Sequence, residues 1–202
     1  MRRKTTLLGI AGVLCTALFL AVLLFGLVIG PDSGMRAPPG VIHTAATSSD
    51  PARLIIPALS IDAPVEFVGE TLRGTMGAPS AYAHAGWYGY GTIPGHLGSA
   101  VIDGHVDDGF GLPGVFAHLR DIKIGDDVYV ETRAALPAGR AKERLHFVVT
   151  GLETYPYDDA PTELIFGRND KARLNLITCE GRWSRAANTY AKRLVVFTEL
   201  VP

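Results

Sequence analysis

The chain has 202 residues, 48% of them hydrophobic, and a formal net charge of -1 at pH 7. That is enough for one sizeable domain with an appendage and too little for two comfortable domains. Residues 1–30 hold Arg2, Arg3 and Lys4 and no acid, so those three charges taken from the total leave -4 on the rest. A mildly acidic body without a broad basic patch excludes nucleic acid as the expected partner.

Residues 7–29 contain no charged side chain, and about 20 apolar residues suffice for a helix to cross a bilayer core. The expectation is a transmembrane helix over 7–29. The basic residues before it keep residues 1–6 in the cytoplasm and put the remainder outside. A cleaved signal peptide fits less well, because its apolar region runs about 7 to 15 residues and ends in a small-residue cleavage pattern, whereas Gly30-Pro31-Asp32 follow here. Gly26 and Gly30 have the small-xxx-small spacing of helix dimers, for which coincidence in a Gly-rich chain is the plainer account. Residues 30–51, rich in Pro, Gly, Ser, Thr and Ala, read as a flexible extracellular stalk. The folded domain is expected over 52–202.

Two short strands are predicted over residues 53–57 and 63–68, with prolines placing them at edges or strand starts. Seven glycines and two prolines between 69 and 97 predict a loop-dominated section. Residues 98–103 read as a buried strand ending at Gly104-His105, and residues 115–119 as one or two helical turns. Residues 127–132 and 145–152 are the clearest strands. The long connection that follows contains residues 161–167, with Pro at a helix start and Gly at its end; so long a loop is usually functional or mobile. Strands over 173–179 and 192–200 complete about seven or eight. The expected class is all-β, a barrel or sandwich with little helix.

Chemistry centres on Cys179, at the end of the alternating stretch Arg173-Leu174-Asn175-Leu176-Ile177-Thr178-Cys179, before Glu180-Gly181. The other cysteine, Cys15, lies in the apolar N-terminal segment, so Cys179 is expected to be an unpaired, reactive thiol. A nucleophilic thiol needs a cation or base beside it and donors aimed at the oxygen of the attacked carbonyl. His43 falls in the stalk, His84 and His96 in the Gly-rich loops, His118 in the short helix and His146 in a strand. Only His105 follows a buried strand end, where side chains commonly face a groove. Taken singly, an ordinary loop histidine and a small buried cysteine would be the default readings. Asp103, Asp107 and Asp108 do not fit a D-x-[DN]-x-[DN]-G calcium loop, and no His and Cys cluster has zinc spacing, so a solvated turn and no metal are expected.

Leu176-Ile177-Thr178-Cys179, Gly104-His105, Val115-Phe116 with Leu119, Gly125-Asp126, Ile55-Ile56-Pro57 and Ile61-Asp62-Ala63-Pro64-Val65 together resemble the sortases, the membrane-anchored cysteine transpeptidases of Gram-positive bacteria. The resemblance covers about residues 52 to 200. Ala85-Gly86-Trp87-Tyr88 and Gly104-His105-Val106-Asp107 look most like the actinobacterial class F branch, with class E next.

The resemblance implies a closed β-barrel of about eight strands with short helices, and no cofactor. It makes Cys179 the nucleophile, His105 the proton donor to the leaving amine and Arg193 the cation at the oxyanion, with Thr178 and the backbone N–H of Glu180 lining the oxyanion site. Thiol and imidazole would work as a thiolate and imidazolium pair. Substrates would be proteins with a Leu-Pro-x-Thr-Gly-like sorting signal, cleaved after Thr and passed to the amine of a peptidoglycan precursor or a pilin lysine. In several class F members the arginine falls two residues earlier, where this chain has Ala191; positions two apart on a strand share a face, and Arg182 and Arg185 are fallbacks. Glu180 stands where related sequences often have Gly, and an acid beside the thiol raises its pKa unless it points away. Two rival readings are a tethered binding module on a degenerate sortase scaffold and, less favoured, an L,D-transpeptidase, whose cysteine sits in a Ser-His-Gly-Cys type stretch absent here.

Overall fold

The computed structural model describes residues 50–133 and 143–202. The predicted membrane helix, with Cys15, Gly26 and Gly30, and the stalk up to residue 49 lie outside the described residues. Eight strands are present: β1 (Pro51–Ile56), β2 (Ile61–Val68), β3 (Ala85–Tyr88), β4 (Gly98–Gly104), β5 (Asp127–Thr132), β6 (Arg144–Pro156), β7 (Ala172–Ser184) and β8 (Thr189–Leu200). They form a closed barrel in the order β1-β2-β3-β4-β7-β8-β6-β5, shut by an antiparallel β1–β5 pair. Closure leaves no open sheet edge.

Strand alternation sorts the side chains into two sets. Ile102 of β4, Leu174 and Leu176 of β7 and Leu194 and Val196 of β8 point inward to a shared core with Leu54, Val128 and Phe147. Each such side chain stabilises the fold by about 1.5–3 kcal/mol through burial. The intervening positions Val101, Ile177 and Val195 face outward, yet they too are covered, clustering with Ile165, Tyr88 and Met76. Their cover is the β6–β7 connection, whose π-helical turn Glu163–Gly167 packs over β4. Asn175, outward on β7, fastens that turn by donating from Nδ2 to the Ile165 carbonyl at 2.6 Å.

Three elements differ from expectation. β3 lies inside the predicted loop section and pairs parallel with β2 and antiparallel with β4; four residues with a glycine among them carry no readable alternation. The predicted helical turns at 115–119 are a turn leading into a single 3-10 turn, Leu119–Asp121. Finally, β7 does not stop at the cysteine. Gly181, at φ +82°, absorbs a bulge, and the ladder resumes with Trp183 opposite Tyr190.

Candidate active site

Two ladders bring distant residues together. β4 and β7 run parallel and their ladder ends with Gly104 opposite Thr178, so His105 and Cys179 are the residues that follow directly on that last pair. β7 and β8 run antiparallel with Cys179 opposite Arg193. The outward parity of Ile177 carries over to Cys179 and that of Val195 to Arg193. These two form a row on the outer face of the barrel, with His105 just past the end of neighbouring β4. Arg182 and Arg185 lie exposed on the β7–β8 hairpin, outside this row.

His105 is held from both sides. Phe116 donates its backbone N–H to the His105 carbonyl at 2.9 Å, and the ring Nε2 donates to the Pro79 carbonyl at 3.0 Å, leaving Nδ1 outside that bond. Tyr82 packs on the ring at a centroid distance of 4.7 Å. The glycine before it is required by packing: a Cβ on Gly104 would stand 2.5 Å from the Phe116 ring and 2.6 Å from Val115.

Arg193 is anchored on its own strand, with Nη1 donating to the carbonyls of Tyr190 at 3.0 Å and Lys192 at 2.9 Å, and Nη2 donating to Thr189 Oγ1 at 2.8 Å. Its guanidinium lies 5.9 Å from the Tyr157 ring centroid.

Cys179 is a free, half-buried thiol. Burial pushes it up from its ordinary value, Arg193 pulls it down, and the charges of Asp103 and Asp107 push it up again. The low-pKa thiol that a thiolate and imidazolium pair suggests is thus opposed by desolvation in the free protein.

The two flanking residues turn inward, as their parity requires. Thr178 is buried and its Oγ1 donates to the Gly104 carbonyl at 2.8 Å, tying the ends of β4 and β7 together; its hydroxyl proton is used there and is not available to an oxyanion. The Glu180 carboxylate pairs with Arg120 and accepts from Thr154 Oγ1 at 2.7 Å. It points away from the thiol and is not among the charges that shift it.

Beside this row lies a groove of about 560 Å³, lined by Asp103, Ile177, Arg193 and Val195 of the barrel, Tyr88 of β3, and residues such as Met76, Ile165 and Phe166 of the two flanking loops. Asp107 and Asp108 behave as turn carboxylates, accepting from the N–H groups of Gly109, Phe110 and Leu112 at 2.8–3.0 Å. Asp103 does not belong with them: it is half-buried in the groove, with its Oδ1 sealed from solvent. Sequence reasoning also missed Tyr190, whose hydroxyl donates to Asp107 beside the thiol; a tyrosine three residues before Arg193 is unremarkable until the hairpin is folded. Among the described residues no three His, Cys, Asp or Glu side chains are placed to hold a metal ion.

Known proteins share this architecture. Sortase A from Corynebacterium diphtheriae superposes with a TM-score of 0.55 at 23% identity over 76% of this chain and 61% of its own, so this chain spans less than two thirds of that protein. Sortase C-1 from Actinomyces oris gives a TM-score of 0.53 at 23% identity over 76% of this chain and 74% of its own. Sortase A of Listeria monocytogenes gives 0.52 at 18% identity over 76% and 88%. At these identities the likeness concerns the fold. No curated protein matches the sequence. Residues 54–201 match the Sortase domain, which is nearly all of the barrel, and the chain therefore belongs to the sortase family.

Proposed function

We propose that this chain is a membrane-anchored cysteine transpeptidase that cuts a Leu-Pro-x-Thr-Gly-like sorting signal after Thr and passes the acyl fragment to an amine. The observation that carries this reading is the row of Cys179 and Arg193, with His105 just past the end of β4, beside a peptide-sized groove. The Cys179 sulfur attacks the Thr carbonyl carbon. The resulting oxyanion is stabilised by the Arg193 guanidinium, a permanent cation with directional donors. His105, protonated, donates its proton to the departing amine as the C–N bond breaks, leaving a thioester on Cys179. An incoming amine then attacks that thioester and gives up a proton to the now neutral His105, and Cys179 leaves as the thiolate as the C–S bond breaks. Burial holds the free thiol above its ordinary value, against the pull of Arg193.

The acceptor is the amine of a peptidoglycan precursor or a pilin lysine, and residues 7–29 anchor the enzyme with the barrel outside the cell. The stretches at 85–88 and 104–107 favour class F, with class E next. Incubating the full-length chain with a library of motif peptides tests the reading: cleavage after Thr and capture of an added amine are expected from the native chain, and Cys179→Ala should do neither. Retention of activity in that variant refutes the assignment.

A further inference from the structure

Asp103 is a polar side chain that the fold leaves unfinished. Its Oδ1 is buried with no hydrogen-bond partner among the described residues, a state that is costly for a polar group. The fold makes room for it, since a Cβ on Gly86, its cross-strand neighbour, would stand 2.5 Å from Oδ1. Its position is informative too. The register places Asp103 opposite Ile177, two residues back from Cys179, about 6.6 Å along the strand, and it lines the groove together with apolar residues such as Met76, Ile165 and Phe166.

The neighbours define what it can bind. Glu66, on β2, is occupied by the Ser80 N–H at 2.9 Å, the Ser80 hydroxyl at 3.0 Å and His84. Tyr88, on β3, donates to Glu70 at 2.5 Å. Burial, with the Glu66 charge adding to it, pushes the Asp103 carboxyl up to about 8, so near neutral pH it carries a proton and presents one donor and one acceptor. Arg193 in the same groove repels a cationic ligand group, and Glu66 disfavours an anionic one. An uncharged group with its own donor and acceptor remains.

Resting on the transpeptidase reading of the groove, we infer that the Asp103 carboxyl is a substrate-recognition group that hydrogen-bonds an uncharged amide or hydroxyl of the peptide within about two residues of the cleaved bond. Two sources share that chemistry, the peptide backbone and the side chain at x of a Leu-Pro-x-Thr-Gly signal.

The test uses full-length Cys179→Ala, which binds without turnover, and peptides with Gln, Ser or Leu at x, with Kd read by calorimetry. Adding Asp103→Leu should raise Kd about tenfold, the loss of one buried hydrogen bond. Adding Asp103→Asn, which keeps a donor and an acceptor, should hold Kd within about threefold. A loss confined to Gln and Ser peptides identifies the side chain as the source, and an equal loss for all three identifies the backbone. Unchanged Kd in Asp103→Leu, equal losses in the Asn and Leu variants, or no peptide binding at all overturns the inference. Failure of the native chain to cleave any peptide refutes the transpeptidase reading instead, and binding distinguishes the two.

Discussion

Replacing Asp103 by Asn should stabilise the protein at alkaline pH and leave it unchanged in acid. In the folded chain the carboxyl moves from 3.8 to about 8, through burial first, against its own backbone hydrogen bond, with the Glu66 charge adding a smaller push. That is a shift of about 4 units at about 1.4 kcal/mol each, or about 6 kcal/mol for a fully dry site. The groove is open on one side, and water entering it reduces the measurable part to about 2–4 kcal/mol. The sign follows from proton counts. Between about pH 4 and pH 8 the unfolded chain has released this proton and the folded chain retains it, so stability falls as pH rises through that window and levels off above it. Asparagine has no proton to lose, and every other group titrates alike in both proteins. The difference in unfolding free energy should therefore grow from near zero at about pH 4 to about 2–4 kcal/mol at about pH 8.5. Urea melts at several pH values, followed by the fluorescence of buried Trp87, measure it directly. A difference independent of pH, or a less stable Asn variant at high pH, would refute the reasoning, because either result means that the native carboxylate is ionised and satisfied.

Arg193→Ala should lower kcat/KM for peptide cleavage about 10²-fold, as expected for losing a donor at a developing oxyanion, and should move the pH profile of Cys179 alkylation upward, since Arg193 is the charge that pulls the thiol down. Arg193→Lys should restore the alkylation profile better than the cleavage rate. Glu180→Ala should destabilise the fold by about 1 kcal/mol, because it strips Thr154 of its acceptor, while leaving the alkylation profile in place. A shifted profile would mean that the carboxylate reaches the thiol after all.

Much of this protein is written in local pattern. The alternation of β7 marks which residues enter the core, and it puts Cys179 on the side of the strand that avoids it. β3 carried no such pattern, because four residues containing a glycine are held in place by partners on both sides and not by their own preference. The bulge at Gly181 likewise depends on the ladder continuing beyond it: a glycine after a strand reads as a stop unless the partner chain is known.

The sequence by itself determined an all-β domain and an unpaired cysteine with a histidine at a strand end, since residue type and two-residue period are local properties; Arg193 came only with the resemblance to the sortases. Only the tertiary structure decided that β4 and β7 lie parallel with Gly104 opposite Thr178, which is what sets His105 beside Cys179 across 74 positions of chain. It also decided the fate of the acids. Glu180 follows the thiol directly but faces inward to Arg120 and Thr154, whereas Asp103, read as part of a solvated turn with Asp107 and Asp108, is half-buried in the groove with one carboxyl oxygen cut off from water. The reason is that strand parity selects a face, but only the loops packed over that face determine whether it meets water.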